Sequence, residues 1–258
     1  MATDEPIRDD PKYMMNFVRR AEALDALAIE PLTKRGLAEA LGISRPTAHR
    51  ILEGFDELDV VRSERSGYEL TRFGQVVHDA VGDYRNRIET AMSLRPLLND
   101  LPDGIELDYQ LFADAVVTEA TYDDPFRPMN RFIELFEDAT QVKGFNRSFL
   151  EPMYIELAHE RIEAGLESDI IYDPKVIELV LEEYPNLGAA ALEKEHVTAS
   201  VHDDLPIAMA IFESRIGIGV HTEAMGTPVA WIDTDDPDAI AWGEQLFERY
   251  RAEATQLH

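Results

Sequence analysis

Apolar positions between Thr33 and Arg72 follow a helical period and then a strand period, and they spell out an ordered set of elements. Leu37, Ala40 and Leu41 share one face of a helix predicted over Lys34–Leu41, with Thr33 placed to cap it and Gly42 to end it. After Ile43, Ser44 caps a second helix with Pro46 in its first turn, where a missing N–H costs nothing. Ala48, Ile51, Leu52 and Phe55 follow the i, i+3, i+4, i+7 spacing of a buried face. The period then shortens to that of strands. Val60 and Val61 start one, Arg62–Gly67 reads as a turn, and Tyr68–Thr71 returns. Two short helices joined by a tight glycine turn, followed by a basic-tipped hairpin, are the pattern of a winged helix-turn-helix.

Helical spacing flanks this stretch on both sides. A first helix is predicted from Pro11 to about Ile29, carrying Tyr13, Phe17, Leu24, Leu27 and Ala28, and the polar residues 1–10 before it read as disordered. A long helix is predicted over 72–93, where Phe73, Val77, Ala80, Val81, Tyr84, Ile88 and Ala91 recur at steps of three and four. Two uses compete for that stripe: packing against its own domain, or pairing two copies of the chain at the spacing of a palindromic site. Leu94-Arg95-Pro96 ends the helix, so the domains are placed at 1–95 and 96–258.

The second region mixes both periods. Helices are expected over Pro128–Ala139, Pro152–Gly165 and Pro174–Glu183, and a final one opens at Asp236-Pro237 with Ile240, Trp242, Leu246, Phe247 and Tyr250. Strands are expected over Ala115–Ala120, Asp169–Asp173, His196–Val201, Ile207–Glu213, Arg215–Thr222 and Val229–Asp233. The last three form an antiparallel meander with turns at Ser214 and Met225-Gly-Thr. The fold class is therefore α+β: an N-terminal winged helix-turn-helix followed by a mixed α/β domain.

Charge changes the picture in two ways. The 258 residues hold 24 basic and 51 acidic groups, net −27, with five lysines against nineteen arginines. An acidic, lysine-poor chain with 45% hydrophobic residues reads as a folded protein adapted to high salt, of haloarchaeal type, rather than a disordered one. The charge is also unevenly shared: residues 1–95 are net −3 and residues 96–258 net −24. The helix-turn-helix part is thus nearly neutral, while the remainder repels nucleic acid. High salt weakens counterion release, so base and apolar contacts would carry more of any DNA affinity.

Placed on a recognition helix, the N-terminal side chains of the second helix face the major groove. Arg45 or Arg50 can make a bidentate contact to guanine, and Thr47 or His49 a shorter one. The expected interface with double-stranded DNA is Thr33, Lys34 and Arg35, then Ser44, Arg45, Pro46, Thr47, His49 and Arg50, with Arg62 and Arg65 near phosphates or the minor groove. For the second domain, cations that so acidic a region would not place idly mark an expected site for a small anionic effector: Arg131, Lys143, Arg147 and Arg215, with Asn146 and Tyr154. Phe145 and Trp231 would join Tyr154 as its walls.

Catalytic and cofactor patterns are not found. The chain has no cysteine, no HExxH, no GxSxG, no Walker loop and no GxGxxG, so no cofactor and no enzymatic role are expected. His196, His202 and His221 lie on or beside predicted strands near Asp203, Asp204 and Glu223, but acidic surfaces put carboxylates beside everything, and no metal site is assigned. The N-terminus is acidic rather than signal-like, and no apolar run approaches the roughly 18 residues of a membrane span, so a cytoplasmic protein is expected.

Two resemblances follow from quoted segments. LAEALGIS, SRPTAHRIL, LDVV and YELTRFG resemble the winged-helix domain of archaeal transcriptional regulators, with Gly36 a departure at a position usually larger. The ending TPVAWIDTDDPDAIAWGEQLFERYRAEA is similar to effector domains of the TrmB-like and methanogenesis-regulator types, over about the last 150 residues. That resemblance implies a ligand-responsive α/β domain related to the phospholipase-D-like fold, but none of the seven histidines has a lysine two positions on, as that chemistry needs. Together they imply a homodimeric DNA-binding regulator. A winged-helix adaptor that binds protein instead stays open.

Overall fold

The computed structural model describes residues 11–147, 152–221 and 228–257. The expected disorder of residues 1–10, the turn at Met225-Gly-Thr and the candidate ligand Glu223 lie outside them. The chain divides into two compact units, Met1–Glu89 and Thr90–His258. The division falls a few residues before Leu94-Arg95-Pro96, because Leu94 and Leu97 are fully buried in the second unit's core.

In the first unit the predicted opening helix is two helices, α1 (Pro11–Arg19) and α2 (Ala21–Ile29). Arg20 leaves the helical region between them at φ −119°, ψ 22°, and no proline or glycine marks the break. Thr33 caps α3 (Lys34–Ala40) by accepting from the Gly36 N–H at 3.0 Å, and Gly42 follows at φ +64°. Ser44 caps α4 (Arg45–Asp56) by accepting from the Thr47 N–H at 3.3 Å. Ala48, Ile51, Leu52 and Phe55 are all buried, packed with Leu24, Leu27 and Leu37.

The hairpin pairs β1 (Val61–Glu64) with β2 (Gly67–Leu70), and Leu32 bridges Tyr68 on the other side. Its turn is only Arg65-Ser66, so Arg62, expected in the turn, instead sits within β1 opposite Glu69. Thr71 then starts α5 (Arg72–Ser93). Its hydroxyl accepts from the Gly74 N–H at 2.9 Å and donates to the Asp59 carbonyl at 2.6 Å. Gly74 itself lies against the wing, where a Cβ would come within 2.0 Å of the Val60 carbonyl oxygen. These contacts give the YELTRFG segment its physical sense.

The second unit is built on one mixed sheet. In chain order its elements are α6 (Arg95–Asp100), a 3-10 turn (Tyr109–Phe112), β3 (Val116–Glu119), α7 (Arg127–Asp138), β4 (Gln141–Asn146), α8 (Pro152–Glu163) and β5 (Glu167–Tyr172). Then come α9 (Pro174–Glu183), α10 (Pro185–Leu192), β6 (Val197–Val201), β7 (Ala208–Ile211), β8 (Ile216–His221), β9 (Pro228–Thr234), α11 (Pro237–Arg251) and β10 (Thr255–Gln256). The eight strands lie in the order β10-β6-β5-β4-β7-β8-β9-β3. β4, β5 and β6 are parallel, and the remaining neighbours antiparallel, including the expected β7–β8–β9 meander.

β4 and α10 were not anticipated. β4 carries lysine, glycine and asparagine in QVKGFN, which reads as a loop, yet it is the strand at which the order reverses: β5 lies on one side and β7 on the other. Alternation gives the sheet two unlike faces. On one, Ile216, Ile218 and Ile232 are fully buried against Leu246 and Phe247 of α11. On the other, Trp231, Ala210 and Val142 meet Phe132 and Phe136 of α7.

Candidate nucleic-acid interface and ligand cavity

The buried face of α4 leaves Ser44, Arg45, Pro46 and Arg50 exposed, with Thr47 and His49 half-buried. Ser44 is engaged as the cap, its hydroxyl also 2.8 Å from that of Thr47. His49 lies 3.3 Å from Glu53 on the next turn. The predicted cations then separate into two groups. Arg35 is paired with Glu39 at 2.7 Å, and Arg62 with Glu69 across the hairpin. Lys34, Arg45, Arg50 and Arg65 make no ion pair among the described residues. These four mark the start of α3, the exposed side of α4 and the hairpin tip. Exposed pairs such as Arg35–Glu39 contribute little to stability, about 0–1 kcal/mol, and compete with any other anion for the guanidinium.

The apolar stripe of α5 is partly buried and partly exposed. Val81 is buried and Val77 half-buried against the first unit's core, while Asp25 of α2 is bound by Arg85 at 3.0 Å and His78 at 3.2 Å. Phe73, Val76, Tyr84, Ile88 and Met92 are exposed.

In the second unit, the cations expected to bind an anion are mostly committed elsewhere. Asp233 of β9 has no exposure at all, yet it is held by two arginines. Arg131 of α7 binds it through both carboxylate oxygens, at 3.0 and 2.9 Å, and Arg215 donates at 2.7 Å. The hydrogen bond to Asp233 is the first reason that Arg131 is held above its ordinary pKa. A bidentate arginine plus a second donor satisfies a buried carboxylate that would otherwise be expensive. The cluster therefore clamps α7 onto the sheet. Lys143 lies beside Asp169 of β5, on the far side of β4 from Val142, where Arg251 also reaches Asp169 at 3.3 Å. Arg147 donates to the Pro206 carbonyl at 2.7 Å. Of the six residues expected at an effector site, only Asn146 and Tyr154 line the cavity that is present.

That cavity, of about 140 Å³, lies between the sheet, α7 and α8. Phe132, Phe136, Leu157 and Trp231 form its apolar walls. Among the described residues, no arginine or lysine lines it. Its space arises from β8, where isoleucine alternates with glycine in IGIGVH. The isoleucines fill the packed face; on the opposite face Gly219 lines the cavity, and Gly217 lies directly under the Trp231 indole. A Cβ on Gly217 would stand 2.1 Å from the indole ring. Polar groups gather at one end: Asn146 closes β4, Tyr172 closes β5 opposite it in register, and His221 closes β8. Burial pushes the Tyr172 hydroxyl up to about 12 and lowers His221, so both are neutral near pH 7. A second cavity of about 110 Å³ continues under α8 toward α9 and α10, sharing Asn146, Ser168 and Tyr172 with the first.

The histidines considered as metal ligands are in three separate settings. His196 bonds the Ile162 carbonyl, His202 accepts from the Asp204 N–H and stacks edgewise on Tyr250, and His221 faces the cavity. Among the described residues no three histidine or carboxylate side chains converge, and no helix is long and apolar enough to cross a membrane. Phe145 and Trp231, expected as walls beside Tyr154, do line the cavity, whereas Asp233 and the β8 glycines were not singled out from the sequence. The Ile-Gly-Ile-Gly alternation was the available signal.

Comparison with known proteins places these units. Three solved structures are similar in fold. TrmBL2, an archaeal chromatin protein described with a novel mode of DNA binding, is 13% identical, with a TM-score of 0.45 over 96% of this chain and 100% of its own. Nuc, a phospholipase D family member from Salmonella typhimurium, is 10% identical, with a TM-score of 0.42 over 56% of this chain and 97% of its own. NucT from Helicobacter pylori is 14% identical, with a TM-score of 0.44 over 55% of this chain and 98% of its own. No curated protein sequence matches the chain. Residues 8–93 match the family model of the HVO_A0261 N-terminal domain. Residues 125–253, half of the chain, match the model of the methanogenesis regulatory protein FilR1, middle domain, and the chain belongs to that family.

Proposed function

We propose that this protein is a sequence-specific DNA-binding transcriptional regulator that works as a homodimer and responds to a small effector. One observation carries the DNA reading. In a chain with two acidic groups for every basic one, Arg45 and Arg50 of α4 stand exposed without an acidic partner among the described residues. They project from the helix that a helix-turn-helix lays in the major groove, and Arg65 sits at the hairpin tip beside it. Membership of a regulator family supports the same reading. The exposed Phe73, Val76, Tyr84, Ile88 and Met92 along α5 offer a second copy an apolar face, which would set the spacing of two half-sites. An effector that prefers one dimer geometry would then alter operator affinity.

The test is selection from random duplexes in near-molar potassium chloride, with and without cell extract. A palindromic motif is expected. Substituting Arg45 or Arg50 by alanine should cost about 1–3 kcal/mol and relax preference at one base pair, while Arg65→Ala should weaken all sequences alike. Absence of enrichment in either condition, with the protein folded, overturns the proposal.

A further inference from the structure

We propose that the cavity between α7, α8 and the sheet binds a small uncharged molecule with an aromatic or aliphatic body and a single hydrogen-bonding head. This rests on the reading above that the second unit senses an effector, and it replaces the anionic ligand that the arginine positions had pointed to.

Four observations converge. The first is space. Interiors are packed so that voids larger than a water molecule are few, and an apolar cavity of about 150 Å³ is known to take up benzene. The volume here is about 140 Å³. The second is lining. Phe132, Phe136, Leu157 and Trp231 offer a π-rich, apolar wall suited to a ring or a branched alkyl group.

The third is the arrangement of polarity. Asn146, Tyr172 and His221 all stand at the same end of the sheet, because β8 runs parallel to β4 and β5 through antiparallel β7. A ligand would therefore have one polar end and one apolar end. This is also the carboxyl end of β4, where the strand order reverses. In open α/β sheets a crevice forms at that point, since the connections on either side lead away from each other. The fourth is charge. Among the described residues no arginine or lysine lines the cavity, and the arginines nearest in sequence are engaged: Arg131 and Arg215 by Asp233, Arg147 by the Pro206 carbonyl. A carboxylate or phosphate would be buried there without a partner, whereas a hydroxyl, carbonyl or amide would find a neutral donor or acceptor.

The experiment compares three probes of one ring size by isothermal titration calorimetry on the full chain: para-ethylphenol, ethylbenzene and para-ethylbenzenesulfonate. The expected order is para-ethylphenol tightest, ethylbenzene next, and the sulfonate weaker than the phenol by about tenfold or more, reflecting the cost of an unpaired charge in an apolar site. Tyr172→Phe removes only the hydroxyl and should shrink the preference for phenol over ethylbenzene. Ala158→Phe fills the space between the two cavities and should weaken all uncharged probes by about tenfold, as expected when apolar volume is replaced. Sulfonate binding as tight as the phenol, or no probe bound by the folded wild-type chain, overturns the inference. If Ala158→Phe does not fold, the Tyr172→Phe comparison decides alone, and an unchanged phenol preference counts against it. Operator selection is scored separately. Loss of the probe result with DNA binding intact removes this ligand class but not the regulator, and probe binding without any operator does the reverse.

Discussion

The two faces of the large sheet differ although the same strands make both. On the α11 face, Ile216, Ile218, Ile232 and Phe247 are fully buried. On the α7 face, the alternate positions of those strands are Gly217, Gly219, Trp231 and Asp233, and a cavity remains. One face is packed with apolar volume. The other combines a cavity lined by Gly219 and Trp231 with an ion cluster at Asp233. The difference teaches that cohesion and ligand space can be separated on a single strand, because successive side chains point to opposite sides.

The largest effect should come from the cluster that fixes α7. Asp233→Asn strips the charge facing Arg131 and Arg215, and breaking a buried pair on one side costs about 3–5 kcal/mol. Denaturant unfolding followed by tryptophan fluorescence would report it, since both tryptophans, Trp231 and Trp242, lie in the second unit. A loss below about 1 kcal/mol, the range of exposed pairs, would mean that the clamp is not what holds the cavity face.

Next comes the packed face. Ile218→Ala should cost about 2–5 kcal/mol in the same measurement, because a fully buried site cannot collapse around the lost volume. Gly217→Ala is expected to follow at about 1–3 kcal/mol, from overpacking against the indole. It should also shift the Trp231 emission, which Ile218→Ala should not do to the same extent. The smallest effect sharpens the contrast with one chemical change made on each side. Ile218→Val should cost about 0.5–1.5 kcal/mol, whereas Ile133→Val at the cavity wall should cost less than about 0.5 kcal/mol, since its neighbours there are already incomplete. Equal costs at the two positions would remove the distinction between a filled and an open face.

The first unit was largely legible from its sequence, and the second only in outline. Thr33, Ser44, Gly42 and the Ala48–Phe55 spacing each act within three or four residues, so the residues that signal a helix end are those that make its hydrogen bonds. The break at Arg20 escaped because no residue there carries a breaker's signature. In the second unit, β4 was missed because Lys143, Gly144 and Asn146 read as loop. Its strand character comes from parallel pairing with β5 and antiparallel pairing with β7. The cations chosen for an effector were read as available because their partners are distant in sequence. Arg131 meets Asp233 across 102 residues.

The sequence by itself determined the winged helix-turn-helix, the α+β class, the meander and the concentration of acidic charge outside the N-terminal unit. Local capping, periodicity and composition are enough for those. Only the tertiary structure decided that Arg62, Arg131 and Arg215 are paired, while Arg45, Arg50 and Arg65 make no ion pair among the described residues. It also decided that the space in the second unit is apolar. Both depend on which distant side chains share a face, and sheet order and register fix that, not spacing along the chain.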